Sequence, residues 1–223
     1  SLALQRHSAS TLAGVLLLAL DTATPAVTVA LHDGDDVIAE YTAVDPRRHG
    51  ELLAPGIERV LRTAHATPRD ITDIAVGVGP GPFTGLRVGI VTARTLGGAV
   101  GASVRGYCTL DVLAWQAKRS DNFLVATDAR RREVYWARYR GTQRLDGPHV
   151  DKPSAIGWTG PVVGRGGQLY PEAFTDSVEP IDPCAAGLAR LAVSGEPALL
   201  PEPLYLRRPD AVEPAASKPV MAR

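Results

Sequence analysis

Cysteine is scarce in this sequence, and the lack of cysteine motifs excludes two kinds of site. Cys108 and Cys184 are the two cysteines among 223 residues. Neither belongs to a Cys-x-x-Cys pair, which excludes the usual zinc-binding and redox motifs. We therefore expect two buried, reduced thiols, as in a cytosolic protein.

The chain also lacks an excess of charge and is poor in aromatic residues. Its 24 basic and 24 acidic residues give a formal net charge of zero, and aromatic residues make up 5%. A protein that binds nucleic acid on its own needs a basic surface or rings on which bases stack. The composition argues against that class, whereas 45% hydrophobic and 22% charged residues fit a globular protein with a substantial core.

No hydrophobic run is long enough to span a bilayer. The apolar run at residues 15–20 is far shorter than a membrane helix requires, and we interpret it as a buried strand. Residues 1–14 show no clear period. We expect a disordered leader or a cloning remnant there.

A loop rich in glycine and proline is the most prominent feature that is present. The sequence Gly-Pro-Gly-Pro-Phe-Thr-Gly at residues 79–85 separates an apolar run at 74–78 from a helical pattern at 86–96. This order predicts a strand, a tight loop and a helix start, whose N–H groups and dipole suit an anion. No Gly-Lys-Ser/Thr sequence and no three-glycine dinucleotide spacing is present. A simple turn is the alternative explanation.

The periodicity of the first half predicts the order β-β-β-α-β-α-β. Three strands joined by tight turns form an antiparallel meander, and helices then alternate with strands, which predicts a mixed sheet with helices against it. The predicted bounds are 15–20, 26–31 and 37–44 for the meander, 51–64 and 84–97 for the helices, and 73–78 and 100–104 for the later strands. A third helix is predicted over residues 109–118, with Thr109 as its N-cap.

The second half has fewer long periodic segments. The predictions are strands at 123–127, 133–139 and 161–164, a loop at 141–160, a helix at 185–192, and a proline-rich extended tail anchored at 204–207. We place a domain boundary near Tyr107. This gives an N-terminal lobe over residues 15–107, a smaller C-terminal lobe over 108–207 and an extended tail over 208–223.

Asp21, Thr22 and Thr24 follow the first buried strand and are weak candidates for cofactor binding. A carboxylate there could hold a metal–phosphate unit, with threonine hydroxyls on the phosphate oxygens. Ala23 stands where phosphate-binding hairpins usually carry glycine. A turn of Asp and Thr that satisfies its own backbone explains the residues at least as well.

The histidines do not form a metal-binding pair. A helical pair needs two histidines three or four residues apart, but Leu52 and Leu53 occupy those positions after His49. A histidine-based metal site is therefore not predicted.

A run of three arginines at residues 130–132 separates Asp128 from Glu133. Mutual neutralisation explains these charges more simply than a catalytic pair of carboxylates. The basic patch itself is either a solvated face or an RNA contact within a larger complex.

The two long predicted helices carry more small and apolar positions than one packed face needs. Gly89, Ala93, Gly97 and Gly98 would let another helix approach the second one closely. Packing on the sheet within the chain is one explanation, and a helix-pair interface with another protein is the other.

Several motifs occur in an order that resembles a known family. They are Asp-Thr-Ala-Thr at 21–24, His-Gly-Glu-Leu-Leu-Ala-Pro at 49–55, the glycine loop continued to residue 89, Asp-Ala-Arg at 128–130 with Glu-Val-Tyr at 133–135, and Tyr-Leu-Arg at 205–207. Over roughly residues 15–207 the chain resembles the TsaB (YeaZ) family of bacterial tRNA threonylcarbamoyladenosine biosynthesis proteins. It departs from the family at Pro82, where serine is usual.

The resemblance implies a two-lobed α/β fold, the ribonuclease H-like fold of actin, sugar kinases and heat-shock ATPases, with mixed sheets flanked by helices. It also implies a noncatalytic partner that binds and activates the paralogue TsaD, whose first helix carries a His-x-x-x-His metal motif. The matching positions here are His49 and Leu53. With the ATPase TsaE, that complex modifies the adenosine next to the anticodon of tRNAs that read ANN codons.

Partners and site residues follow from the same resemblance. We expect a heterodimer with TsaD, a larger complex with TsaE, a homodimer when the chain is alone, tRNA contact through the complex, no membrane association and a cytoplasmic location. No catalytic or metal-binding residue and no cofactor of its own is expected, with ATP or ADP at an interface with partners. The expected partner interface consists of Glu51, Leu52, Ile57, Gly85, Leu86, Val88, Gly89, Thr92 and Ala93.

Two other classes of protein stay open at this point. An ATP-dependent kinase or carbamoyltransferase of the same fold would use the turn at Asp21, and Mg²⁺-dependent nucleotide binding by the isolated chain would distinguish it. A metallopeptidase has little support because the sequence lacks the ligand pair.

Overall fold

The computed structural model of the chain describes residues 14–207. The predicted tail at 208–223 lies outside the described residues, and so does the predicted leader except for Gly14.

The first sheet has five strands in the order β3-β2-β1-β4-β5. They are β1 (Leu17–Asp21), β2 (Ala26–His32), β3 (Val37–Val44), β4 (Asp73–Gly77) and β5 (Ser103–Tyr107). The meander β1-β2-β3 is antiparallel, and β4 and β5 add to β1 in parallel, so the predicted mixed sheet is confirmed. Every residue of β1 and β2 is buried because helices cover both faces of these central strands.

The second sheet is also mixed and has the order β10-β9-β6-β7-β8. Its strands are β6 (Asn122–Asp128), β7 (Val134–Arg140), β8 (Gln143–Asp151), β9 (Val162–Val163) and β10 (Ser177–Val178). β6, β7 and β8 pair antiparallel, and β9 and β10 extend the other side of β6 in parallel. Two mixed sheets flanked by helices confirm the expected fold class.

Six α-helices connect or cover the sheets within residues 14–207. They are α1 (His49–Thr63), α2 (Phe83–Val100), α3 (Thr109–Ala117), α4 (Pro153–Ile156), α5 (Arg165–Leu169) and α6 (Ala185–Val193). A short 3₁₀ turn at Pro68–Asp70 has a capping box, in which Oδ2 of Asp70 accepts from the N–H of Thr67 at 2.7 Å. None of the helices in this part of the chain is long and apolar enough to cross a membrane.

The end of α2 corrects two predictions. The helix does not stop at Gly97 and Gly98 but continues to Val100, and β5 begins at Ser103 rather than at residue 100. Gly101 ends the helix because it adopts the left-handed conformation (φ 77°) and its N–H bonds the carbonyl of Gly97 at 2.8 Å. A glycine inside a helix weakens it without ending it, which is why the sequence pattern was misleading.

The predicted loop at residues 141–160 is also wrong, because it contains β8 and α4. β8 is the edge strand of its sheet, and its pairing with β7 is irregular between Trp136 and Arg138, opposite Gly147 and Pro148. An edge strand tolerates proline and glycine at such an irregularity. The composition of this segment therefore hid a strand.

The N-cap residue of α3 and the burial of one cysteine differ from expectation. Cys108, not Thr109, is the N-cap residue of α3, and the hydroxyl of Thr109 bonds elsewhere. Both cysteines are free; Cys108 is buried as expected, whereas Cys184 is half-buried. The Sγ of Cys184 accepts a hydrogen bond from the N–H of Gly187 at 3.3 Å and thereby caps α6.

The core of the first sheet is built on both of its faces. On one face, Leu18, Leu20 and Val76 pack with residues of α1 and α2. On the other face, small residues such as Ala19 and Ala75 pack under α6, which follows the second sheet in the chain. The boundary near Tyr107 stays a prediction.

Candidate functional site

The turn after β1 is held by hydrogen bonds within the chain. Asp21 is fully buried; its Oδ1 accepts from the N–H of Ala23 at 2.7 Å and its Oδ2 from the hydroxyl of Thr109 at 2.8 Å. Burial raises the pKa of Asp21 to about 6, although these hydrogen bonds and the charge of His49 oppose the rise. Asp21 therefore ties the turn to α3.

The two threonines of this turn are also engaged. The hydroxyl of Thr22 donates to the carbonyl of Gly85 at 2.7 Å and accepts from the N–H of Gly89 at 3.0 Å. The hydroxyl of Thr24 accepts from the N–H of Ala26 at 3.2 Å. The turn thus satisfies its own backbone and that of α2, as the simpler explanation of Asp21, Thr22 and Thr24 predicted.

The glycine loop packs directly on this turn. A Cβ atom at Gly81 would lie 2.2 Å from the carbonyl oxygen of Ala23, and one at Gly89 would lie 2.5 Å from the hydroxyl of Thr22. Side chains at these two positions would therefore push α2 away from the sheet. The loop positions the first turn of α2, which starts at Phe83.

A cleft of about 290 Å³ opens where this turn, the starts of α1 and α2 and the second sheet meet. Thr22, Thr24 and Gly85 line it from the first sheet's side, and Asp128 and Arg130 line it from the second. Asp21 is not among its lining residues, because its carboxylate points to Thr109. Of the three weak cofactor candidates, the two threonines thus face the cleft.

The structure places no metal-binding pair on α1. The Nε2 of His49 donates to the carbonyl of Thr24 at 2.7 Å, and Leu53 is 2% exposed in the core. Within residues 14–207 no group of three or more His, Cys, Asp and Glu side chains is placed to hold a metal ion. Asp128 pairs with Arg130 at 3.5 Å and Glu133 pairs with Arg207, so the two carboxylates do not form a catalytic pair.

α1 and α2 pack side by side, and the contact surface predicted on them divides into two sets. The prediction is wrong for the set that is buried inside the chain, because those residues pack on the sheet or on Thr22: Ile57, Gly85, Leu86, Gly89 and Ala93. The other set is exposed or half-buried and stays a prediction: Glu51, Leu52, Val88 and Thr92.

Two exposed apolar side chains on α2 were missed. Val91 is 59% exposed and Phe83 is 41% exposed. Val91 lies three residues after Val88, so helical spacing places these two side chains on one outer face of α2. Phe83 lies five residues before Val88 and is not on that face. The small residues of α2 pack inward, so their spacing does not indicate this apolar face.

The anchored end of the tail contacts the start of α2. The ring of Tyr205 stacks on Phe83 with centroids 5.4 Å apart, and its hydroxyl accepts from Nε of Arg87 at 2.8 Å. The N–H of Leu204 donates to the carbonyl of Val78 at 2.8 Å. The prediction that residues 204–207 are anchored is thereby confirmed.

The arginine run forms a strained turn between β6 and β7. Arg130, Arg131 and Arg132 all have positive φ, between 55° and 61°. Three consecutive side-chain-bearing residues in this region cost about 1–2 kcal/mol each. The turn is held by a hydrogen bond from the N–H of Ala129 to the carbonyl of Glu133 at 3.0 Å and by Arg207, which donates to the carbonyl of Ala129 at 3.3 Å.

Comparison with known proteins identifies the family. Residues 32–168 match the sequence model of the family described as "TsaD: tRNA N6-adenosine threonylcarbamoyltransferase". An uncharacterised protein of Mycobacterium tuberculosis is 44% identical over 200 residues, which cover 87% of this chain and 93% of that protein.

Solved structures and curated relatives show which type of protein within this family the chain resembles. YeaZ from Pseudomonas aeruginosa has a TM-score of 0.73 at 28% identity, covering 86% of this chain and all of that one. The tRNA threonylcarbamoyladenosine biosynthesis protein TsaB of Escherichia coli is 40% identical over 129 residues, 56% of this chain and 54% of TsaB. The match therefore spans about half of that protein. The chain belongs to the TsaD family, and within this family it is of the TsaB/YeaZ type.

A second structure from Pseudomonas aeruginosa, described as an uncharacterised protein similar to the peptidase YEAZ, has a TM-score of 0.74 at 30% identity. It covers 86% of this chain and 100% of its own. Both structures share the fold described above.

Proposed function

We propose that this chain acts in tRNA threonylcarbamoyladenosine biosynthesis as a noncatalytic partner that binds and activates TsaD. The observation that carries the proposal is the identity and environment of the residues at positions 49 and 53 of α1. His49 is hydrogen-bonded to the carbonyl of Thr24 and Leu53 is buried in the core, so this chain offers no second metal ligand one turn away. The similarity to TsaB of Escherichia coli and the match to the TsaD family support a role in tRNA threonylcarbamoyladenosine biosynthesis.

The chemistry of the turn at Asp21 supports a chain without a cofactor of its own. Both carboxylate oxygens of Asp21 accept hydrogen bonds inside the chain, and a fully buried carboxylate is poorly placed to bind a hydrated metal–phosphate unit. We place any ATP or ADP at an interface with partners, next to the cleft that Thr22 and Thr24 line.

The outer face of α1 and α2 is the proposed contact with TsaD. Val88 and Val91 give it an apolar centre, and Glu51 and Arg48, which pair at 2.7 Å, give it a charged rim. An isologous contact through the same face would form the homodimer when TsaD is absent. TsaE joins as a further partner, the tRNA is bound by the complex as a whole, and the location is cytoplasmic.

Reconstitution tests the proposal. TsaD, TsaE, ATP, threonylcarbamoyl-adenylate and an unmodified tRNA that reads ANN codons are mixed with and without this chain, and modified adenosine is measured. We expect modification to depend on the chain, and the chain alone to turn over neither ATP nor the adenylate. Equal modification without the chain would overturn the proposal. Mg²⁺-dependent turnover by the isolated chain would favour a kinase or carbamoyltransferase.

A further inference from the structure

A basic groove lies beside the arginine turn. Arg130 lines the cleft described above, whereas Arg131 and Arg132 line a separate, wider groove of about 750 Å³. Lys152 and Ser154 line its other parts, at the start of α4. The volume falls within the range of about 300–1,000 Å³ that is usual for small-molecule sites.

The groove concentrates positive charge on a chain that has no net charge. Its lining contains the cations Arg131, Arg132 and Lys152 and one acid, Glu172. Among the described residues, neither Arg132 nor Lys152 forms an ion pair, and both side chains are exposed. Two cations are thus available to an anionic ligand.

Two aromatic rings line the same groove. Trp158 and Tyr170 are half-buried and pack at the edge of the core under the second sheet. The indole N–H of Trp158 donates to the carbonyl of Pro161 at 3.1 Å, which fixes the orientation of its ring. Aromatic rings beside unpaired cations are the combination on which single-stranded nucleic acids bind, with bases on the rings and phosphates on the cations.

The arginine turn presents its side chains from a fixed backbone. Asp128 accepts from the N–H of Arg130 at 2.8 Å. The N–H of Ala129 donates to the carbonyl of Glu133, and the N–H of Glu133 donates to the carbonyl of Arg130, both at 3.0 Å. Arg207 of the tail bonds both Ala129 and Glu133. A turn held in an unfavourable conformation by contacts from three parts of the chain is typical of functional sites.

We propose that this groove binds a single-stranded segment of RNA directly, so that the chain contributes to holding the tRNA. The inference rests on the proposed function, because tRNA is the RNA that the proposed complex modifies. An acidic peptide would use the cations but not the rings, and an anionic membrane would require a flat surface rather than a groove. The zero net charge of the whole chain predicts weak binding by the chain alone.

Binding of a fluorescent single-stranded RNA 12-mer of adenosines to the full chain tests the groove. The variant Arg132→Gln/Lys152→Gln removes its two unpaired cations. The matched control is Lys118→Gln/Arg190→Gln, which removes one lysine and one arginine, both exposed, from a different cavity. At low salt we expect a loss of roughly ten-fold or more for the groove variant and less than two-fold for the control.

The salt dependence adds a readout that a structural defect would not mimic. Each phosphate contact on a single strand contributes about −0.7 to the slope of log K against log salt, so the groove variant should bind with a slope about 1.4 less steep. Equal losses in the two variants, or an unchanged slope, would overturn the inference.

The contribution of the rings is tested at Tyr170. Tyr170→Phe keeps a ring for stacking and should bind the RNA as the parent does, whereas Tyr170→Leu should bind several-fold more weakly. Polyglutamate and phosphatidylserine vesicles serve as probes of charge without bases. If either competes with the RNA 12-mer as well as unlabelled RNA does, the site is not an RNA site and the inference fails.

The modification assay separates this inference from the proposed function. If both hold, the groove variant should raise the KM for tRNA at least several-fold and leave kcat unchanged. If modification depends on the chain but the KM of the groove variant equals that of the control, the inference fails and the proposed function stands. If modification does not need the chain, the proposed function fails whatever the RNA-binding result.

Discussion

The hydroxyl of Thr109 donates a hydrogen bond of 2.8 Å to Oδ2 of Asp21, across 88 positions of sequence. The same hydroxyl accepts from the N–H of Gly79 at 3.2 Å. One side chain at the start of α3 thus joins the turn after β1 to the glycine loop after β4.

Loss of this hydroxyl should destabilise the chain. Thr109→Val would leave a buried carboxylate oxygen and the N–H of Gly79 without partners, and we expect a loss of about 2–3 kcal/mol in unfolding free energy. Thr109→Ser keeps the hydroxyl and should lose less than about 1 kcal/mol. Urea unfolding at pH 7 measures both, and equal losses in the two variants would contradict the role given to the hydroxyl.

The raised pKa of Asp21 predicts a specific pH dependence. The pKa rises from 3.8 to about 6 on folding. Between about pH 4 and pH 6, the native state therefore keeps a proton that the unfolded state has released. Stability from this group is therefore greatest below pH 4 and falls as the pH rises towards 6, by at most about 3 kcal/mol.

Asp21→Asn removes this titration and leaves the other carboxyl groups in place. We expect the stability of the parent, relative to the variant, to decrease between about pH 4 and 6.5 and then to become constant. Urea unfolding at several pH values gives the two curves. Parallel curves over that range would show that Asp21 does not titrate as the structure implies.

Two glycines of α2 should respond in opposite ways to alanine. Gly89→Ala would place a methyl group 2.5 Å from the hydroxyl of Thr22, so we expect a loss of about 1–3 kcal/mol. Nothing lies within 4 Å of a Cβ at Gly98, so Gly98→Ala should stabilise the helix by about 0.5–1 kcal/mol. Thermal unfolding of both variants checks the signs, and a stable Gly89→Ala protein would contradict the close approach.

The proposed contact with TsaD is best tested at Val91. Val91→Glu puts a charge in the centre of the outer face of α2 and should weaken TsaD binding at least ten-fold, because an unpaired charge would be buried in the contact. Val193→Glu is the control, since Val193 is 44% exposed on α6. Calorimetric titration measures binding, and circular dichroism confirms that both variants fold. Unchanged affinity of Val91→Glu would move the contact elsewhere.

The meander and the two long helices could be predicted from the sequence because their signals are local. Alternation in β2, the Asp-Gly turn before β3 and the apolar stripe of α1 each report on their immediate neighbours. The strand β8 could not be predicted, because its stability depends on pairing with β7 and its composition resembles that of a loop. Tertiary pairing overrides local preference there.

The site was predicted less well than the fold, for a related reason. A glycine in a helix signals close approach but does not say to what, and Gly85 and Gly89 approach Thr22 rather than a partner. The role of Thr109 could not be predicted either, since no local pattern links it to Asp21. The basic character of residues 130–132 was visible in the sequence, whereas Trp158 and Tyr170 join them through the fold alone.

The position of α6 has a consequence for how the chain folds during synthesis. One face of the first sheet, with Leu17, Ala19 and Ala30, is covered by α6, which is the last helix or strand among the described residues. At about 5–20 residues per second, a ribosome needs several seconds after finishing β5 to complete Ala185–Val193. During that interval the first sheet carries an open apolar face, so a transcript that ends before the codon for Ala185 should yield a chain that aggregates or is degraded.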